Sequence, residues 1–90
     1  MGSSYSVEFV KSARKEFERL PGRIRDKVVD ALTLLAVNPY SELLKAKKIK
    51  GAEDLFRVRI GDYRVLYEIR SQRLVVVVIK IGHRREVYRR

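Results

Sequence analysis

Hydrophobic and polar residues alternate along two stretches in the second half of the chain, residues 55–60 and 63–69, which only Gly61-Asp62 separates. Alternation with a period of two predicts β-strands, and a two-residue connection that contains glycine predicts a tight hairpin turn. Such a turn also fixes the register of the two strands. The predicted pairs are Ile60 with Tyr63, Arg59 with Arg64, Val58 with Val65, Arg57 with Leu66 and Phe56 with Tyr67.

This register places three arginines, Arg57, Arg59 and Arg64, on one face of the hairpin. Like charges directly opposite each other in a sheet destabilise it by a few tenths to about 1 kcal/mol. A chain that sets Arg59 against Arg64 is therefore expected to bind a polyanion there. The alternative is that Arg57 and Arg59 are only the solvent-facing positions of a half-exposed strand.

The first half of the chain predicts one strand and two helices. Residues 5–9 alternate, which favours a strand with Tyr5, Val7 and Phe9 inward. Helical spacing predicts a helix over about 11–20, ended by Pro21-Gly22, and a second helix that stops at Asn38-Pro39. The first helix would turn Ala13, Phe17 and Leu20 inward. The stripe of the second comprises Ile24, Val28, Ala31 and Leu35, widened by Leu32 and Leu34.

The remaining segments complete an α+β arrangement. Residues 40–54 predict a loop or a short edge strand around Lys48-Ile49-Lys50, and the β-branched run 74–81 predicts a central strand buried on both faces and closed by Gly82. The order is β-α-α-β-β-β, with one further strand optional. We expect a single domain over residues 1–90, with 1–4 disordered or left from cloning. Its N-terminal helical hairpin would pack on one face of an antiparallel twisted sheet.

Composition narrows the chemistry. The chain is 46% hydrophobic and 36% charged, which is typical of a folded globular domain. It has no cysteine and a single histidine, His83, so thiolate metal sites are excluded and a histidine site is not favoured. No apolar run reaches the roughly 18 residues of a membrane helix, and no signal peptide is recognisable at the N-terminus. We expect a cytoplasmic protein without metal or cofactor.

The formal net charge is +10, and it is unevenly distributed. Residues 45–64 and 80–90 each carry a net charge of +4, whereas residues 1–44 and 65–79 each carry +1. This asymmetry favours a nucleic acid or an acidic protein as the partner.

The strongest candidate site combines the three hairpin arginines with two residues of the tail, Arg84 and Tyr88. Guanidinium groups bind phosphates in bidentate fashion and stabilise the extra charge of a pentacoordinate phosphorane. A tyrosine can stack on a base or exchange a proton at the scissile ribose. Such a site could cleave RNA without a metal, since the nucleophile is the 2′-hydroxyl of the substrate. Tyr88 could equally be a hydrophobic plug against the sheet.

Other residues give weaker signals. Lys45, Lys47, Lys48, Lys50 and Arg85 suit contacts to RNA phosphates, although a solvated loop would look the same. His83 is a possible general base or a surface residue. Glu68 is expected to balance an arginine. Tyr63 and Tyr67 are expected on the helix-facing side as core residues.

At these residues the chain resembles the RelE/ParE toxin superfamily, and more closely its RelE-type branch. The resemblance runs from Tyr5 to Tyr88. It includes the helical hairpin ending in Asn38-Pro39, the Lys-x-Ile-Lys-Gly segment at 47–51 and the run Arg57-Val-Arg-Ile-Gly-Asp-Tyr-Arg-Val-Leu-Tyr67. The tail contributes Gly82-His-Arg84 and Glu86-Val-Tyr88. The hairpin motif is common to both branches, and the basic cluster with a tail tyrosine indicates the RNA-cleaving one.

The resemblance implies a type II toxin, a ribosome-dependent endoribonuclease that cuts mRNA in the A site by attack of the 2′-hydroxyl. It implies as partners the ribosome, mRNA and a RelB-like antitoxin that wraps the toxin. Arg64, Arg84 and Tyr88 match catalytic positions of the family directly, while Arg57 and Arg59 stand where well-studied members have lysines. Arginine cannot trade a proton in such a site, which leaves Tyr88 first and His83 second as the general base.

Two other functions remain compatible with the sequence. One is a ParE-like inhibitor of DNA gyrase, which would act as a protein-binding poison. The other is a non-catalytic relative that binds RNA or the ribosome, which the two arginines in lysine places keep open.

Overall fold

The computed structural model describes residues 4–51 and 54–83, in which two helices pack on one face of a five-stranded sheet. The chain runs through β1 (Ser6–Phe9), α1 (Lys11–Glu18), α2 (Gly22–Val37), a 3-10 turn (Glu42–Leu44), β2 (Lys47–Lys48), β3 (Leu55–Ile60), β4 (Tyr63–Arg70) and β5 (Val75–His83). The predicted α+β fold with an N-terminal helical hairpin is confirmed.

The two helices bury the faces that their spacing predicts. Ala13 of α1 is fully buried, and α2 ends at Val37 because Asn38, which precedes Pro39, is extended. The buried residues of α2 are Val28, Ala31, Leu32 and Leu35. Leu34 is 40% exposed, contrary to the prediction, because six positions after Val28 it lies on the solvent side of the helix. No helix in the described residues is long and apolar enough to cross a membrane.

The strand order is β1-β5-β4-β3-β2. The hairpin register of β3 and β4 is confirmed at all five predicted pairs, including Arg59 with Arg64. Gly61 has a φ of +61°, a left-handed conformation that glycine adopts without strain and that fits the first position of a type II′ turn. The helices cover the face that carries Val58, Val65 and their neighbours, and the arginine face is open.

The sheet is mixed, which corrects the prediction of an antiparallel one. β1 pairs in parallel with β5, from Ser6 opposite Val75 to Phe9 opposite Val78. The two helices carry the chain from β1 at one edge of the sheet to β2 at the other. Alternation along β1 predicts a strand but contains no information on its direction.

β5 is longer than predicted and irregular. It continues through Gly82 to His83, so Gly82 does not close the strand and instead pairs with Arg64 of β4. Tyr67 pairs with Val78 and Leu66 with Lys80, which leaves Ile79 as the extra residue of a β-bulge. The prediction that this strand is buried on both faces is correct for only part of β5. Its valines at 75, 76 and 78 are buried, whereas Val77 and Ile79 are half-buried.

Tyr67 is the largest fully buried side chain among the described residues, and its ring stacks on Phe56 with centroids 5.8 Å apart. Its hydroxyl is buried and has no hydrogen-bond partner within the described part of the chain. Burial raises the pKa of Tyr67 to about 12, because the charged phenolate would lose its hydration.

Replacing Tyr67 with Phe tests the cost of this buried hydroxyl. The substitution removes an unpaired polar group and keeps the ring, so we expect the free energy of unfolding at pH 7 to stay unchanged or to rise by up to about 1 kcal/mol. Urea denaturation followed by circular dichroism measures it. A loss of more than about 1 kcal/mol would show that the hydroxyl stabilises the native state.

The alkaline range gives a second readout for the same variant. An unfolded tyrosine releases its proton near pH 10, whereas buried Tyr67 retains it up to about pH 12. Ionisation of this group leaves the free energy of unfolding unaffected below about pH 10 and lowers it as the pH rises toward 12, because only the unfolded chain releases the proton over that range. Wild-type stability should therefore fall more steeply over this range than that of Tyr67→Phe, by up to about 1.4 kcal/mol per pH unit.

Candidate active site

The open face of the sheet carries a cavity of about 700 Å³ beside the β3–β4 turn. Its lining residues are Leu44, Lys45, Lys47, Arg57, Arg59, Gly61, Asp62 and Arg64. The three hairpin arginines thus share one concave surface, as predicted. Five cationic side chains line it against one carboxylate, that of Asp62, so the cavity is strongly electropositive.

The β3–β4 pairing fixes the spacing of the three guanidinium groups. Arg59 lies directly opposite Arg64, and Arg57 lies two residues along β3 on the same face. Arg59 is exposed, and its Nε donates a hydrogen bond of 3.1 Å to the carbonyl oxygen of Gly61. Arg57 and Arg64 are half-buried. Charged groups held in a partly desolvated cavity interact more strongly with an anion than fully hydrated ones.

Two of the four predicted lysines join the arginines, and two do not. Lys47 lies opposite Arg57 at the sheet edge, and Lys45 ends the 3-10 turn with a left-handed φ of 54°. Lys48 lies opposite Phe56, which places it on the helix-facing side. Lys50 is exposed and does not line the cavity.

His83 is placed away from the arginines. It lies opposite Tyr63 at the end of β5, and the two rings meet edge to face with centroids 5.7 Å apart. Tyr63 packs against the core, so this pairing sets His83 on the helix-facing side of the sheet. The geometry therefore does not favour His83 as the group that deprotonates a substrate bound on the arginine face.

The other expectations on neighbouring side chains are met. Glu68 balances an arginine, since its Oε1 accepts a hydrogen bond of 2.9 Å from Nε of Arg70. Tyr63 and Tyr67 belong to the core. Arg84, Arg85 and Tyr88 lie outside the described residues, so their part in the site stays a prediction.

Sequence reasoning missed Glu16 of α1. Its carboxylate accepts hydrogen bonds from the backbone of Ile81 and from Lys80. The available signal was its position three residues after Ala13, on the flank of the inward stripe of α1. Within residues 4–51 and 54–83, no three carboxylate or histidine side chains are grouped as metal ligands.

Over residues 7–88 the chain matches the ParE toxin family of type II toxin–antitoxin systems. It belongs to this toxin family. Toxin RelG of Mycobacterium tuberculosis is 36% identical over 89 residues, which cover 96% of this chain and 98% of that protein. The mRNA interferase toxin RelE of Escherichia coli is 29% identical, with coverage of 94% and 90%.

A solved structure supports the same assignment. The chain is similar to a protein in the archaeal RelE–RelB complex of Pyrococcus horikoshii, with a TM-score of 0.79 and 27% identity over 90% of this chain and 96% of that one. The resemblance to the RelE-type branch is thereby confirmed for this toxin, together with the RelE-like fold.

A salt titration tests whether the cavity binds phosphates. Each phosphate contact to a single strand contributes about 0.7 to the slope of log K against log salt concentration. Arg59→Ala should therefore reduce that slope by about 0.7 for a short single-stranded RNA. Fluorescence anisotropy at several salt concentrations measures it.

Arg73→Ala is the matched control, because Arg73 is an exposed residue of the turn between β4 and β5, at the end of β4 opposite to the cavity, and its replacement removes the same charge there. Equal slopes for the two variants would mean that RNA binds through overall charge and not through this cavity.

Proposed function

We propose that this toxin is an endoribonuclease that cuts mRNA in the ribosomal A site and so inhibits translation. The observation that carries the proposal is the cationic cavity in which Arg59 and Arg64 lie directly opposite each other. Like charges at directly opposite positions of a sheet cost up to about 1 kcal/mol of stability, and a bound phosphate offsets this cost. The name of the Escherichia coli relative, an mRNA interferase, supports RNA as the source of that phosphate.

The cavity suits cleavage by an internal nucleophile. The 2′-hydroxyl of the substrate attacks the adjacent phosphate, and the products are a 2′,3′-cyclic phosphate and a 5′-hydroxyl. The protein has to orient the strand and stabilise the additional negative charge on the phosphorane, which fixed guanidinium groups do well. Arg57, Arg59 and Arg64 would take this role, together with Arg84. No metal is required by this chemistry, because the substrate supplies the nucleophile.

Proton transfer needs a further group, since arginine stays protonated at any accessible pH. Tyr88 is the preferred general base, because the other candidate, His83, lies on the helix-facing side of the sheet. Lys45 and Lys47 would bind flanking phosphates at the rim of the cavity. Arg85 would extend these contacts from the tail.

The partner that silences this activity would be a RelB-like antitoxin. The solved relative in a RelE–RelB complex supports such a partner, and so does the charge of +10, which an acidic antitoxin would complement. An inhibitor that covers the cavity would compete directly with mRNA.

Single substitutions of Arg64 and of Arg84 test the proposed site. Removing one fixed cationic group from a phosphoryl-transfer site costs about 100- to 1,000-fold in rate. We expect Arg64→Ala and Arg84→Ala to lose cleavage of translated mRNA by this factor while their thermal unfolding stays close to that of the wild type. Mapping of mRNA 5′ ends, after expression without the antitoxin, measures the cuts.

Arg73→Ala again serves as the control and should cut like the wild type. Full cleavage by both site variants would reject the assignment of the cavity. If the wild type inhibits supercoiling by DNA gyrase and cuts no mRNA, the ParE-like alternative is right. If it binds ribosomes without cutting, the chain is a non-catalytic relative.

A second pair of variants separates the candidate bases. Tyr88→Phe keeps the ring and removes the ionisable hydroxyl, so the cleavage rate should fall by about 100-fold or more. His83→Gln should stay within about threefold of the wild type, because that side chain lies on the opposite face of the sheet. Single-turnover cleavage on programmed ribosomes compares them, and the reverse ranking would make His83 the base.

A further inference from the structure

The β1 side of β5 loses its partner strand halfway along. Pairing with β1 ends at Phe9 and Val78, and the last backbone hydrogen bond runs from the amide of Val10 to the carbonyl oxygen of Val78 at 3.0 Å. The chain then turns into α1 at Lys11. The second half of β5, residues 79–83, therefore lies beside α1, and a helix offers no backbone ladder. An amide there has to find a side-chain acceptor or water.

Glu16 of α1 supplies that acceptor. Its Oε1 accepts a hydrogen bond of 2.8 Å from the backbone amide of Ile81, and its Oε2 accepts one of 2.9 Å from Nζ of Lys80. Both hydrogen bonds are partly buried. Hydrogen bonds to a charged group are worth more than neutral ones, and partial burial limits their screening by salt. One carboxylate thus fastens two consecutive residues of β5 to the helix.

These two residues follow directly on the bulge at Ile79. Val76 and Val78 face the core, so an uninterrupted alternation would turn Gly82 inward as well. The extra residue shifts the alternation by one, so that Ile81 faces the core and Gly82 lies beside Arg64 on the arginine face. Glu16 holds the strand at the point where this shifted alternation begins.

We propose that Glu16 is a positioning residue for RNA cleavage, because it fixes the bulged end of β5 against α1. This part of β5 sets Gly82 beside Arg64 and leads, two residues later in the sequence, to Arg84. The inference rests on the proposed endoribonuclease function. Glu16 acts through β5, to which its carboxylate is hydrogen-bonded and which pairs with Arg64 at Gly82.

Four proteins test the proposal: the wild type, Glu16→Ala, Glu16→Gln and Glu18→Ala. Alanine removes both hydrogen bonds, whereas glutamine retains an oxygen that can accept from the Ile81 amide. Glu18→Ala is the matched control, since it removes the same charge from α1, where Glu18 is exposed and forms an ion pair with Arg14 at 3.6 Å. Single-turnover mRNA cleavage and ribosome affinity are measured for each, with thermal unfolding as a check of folding.

A displacement of about 1 Å at a reacting group lowers the rate by around 100-fold. We expect Glu16→Ala to cut about 10- to 100-fold more slowly with ribosome affinity within about twofold of the wild type, and Glu16→Gln to recover most of the rate. Glu18→Ala should behave like the wild type. Such a split between rate and affinity is the result that a general loss of folding would not give.

Three results would overturn the proposal. They are wild-type cleavage by Glu16→Ala, an equal loss in Glu16→Ala and Glu18→Ala, and a loss of rate accompanied by an equal loss of ribosome affinity. If Glu16→Gln is folded but cleaves as slowly as Glu16→Ala, the hydrogen bond to Ile81 is also rejected as the cause. A wild type that cuts no mRNA rejects the proposed function instead, which keeps the two failures distinct.

Discussion

The pairing of β3 with β4 across Gly61-Asp62 is the constraint on which the rest of this toxin depends. The same register that sends Val58 and Val65 into the core sends Arg59 and Arg64 to the open face. Burying each valine contributes roughly 1.5 kcal/mol or more, whereas the arginine pair costs at most about 1 kcal/mol. The core therefore decides the register, and the electropositive cavity is a consequence of it. A slip of one residue would exchange the two faces and abolish both.

Local patterns predicted the parts of the fold that depend on neighbouring residues. The two-residue turn was enough to predict the β3–β4 pairs, and Pro39 was enough to end α2. The parallel pairing of β1 with β5 could not be predicted in this way, because it joins strands some 70 residues apart and alternation is the same in either direction. The exposure of Leu34 was missed for a simpler reason, since the predicted stripe of α2 was widened to include it.

The candidate site also contains residues whose positions local patterns predicted and residues whose positions they did not predict. Arg57, Arg59 and Arg64 were predicted together because one hairpin carries all three. The positions of Lys48 and His83 were not, because each depends on a pairing between separate segments and, for His83, on the bulge in β5. The sequence places Glu16 on the flank of the inward stripe of α1 but does not reveal its partners, since these lie 64 and 65 positions further along the chain. The residue types were enough to predict a phosphate-binding site. The face of the sheet on which each side chain lies could be predicted only within the hairpin, where the turn is short.

The bulge at Ile79 also constrains how this chain can vary. A substitution at Ile79 changes one half-buried side chain, whereas deletion of any one residue between Val78 and Gly82 would restore regular alternation and exchange the faces of everything that follows. The spacing from the valine run to the basic tail should therefore tolerate changes of residue type far better than changes of length. In an alignment of such toxins, a gap placed within this interval would signal a rearranged active site even where every arginine is retained.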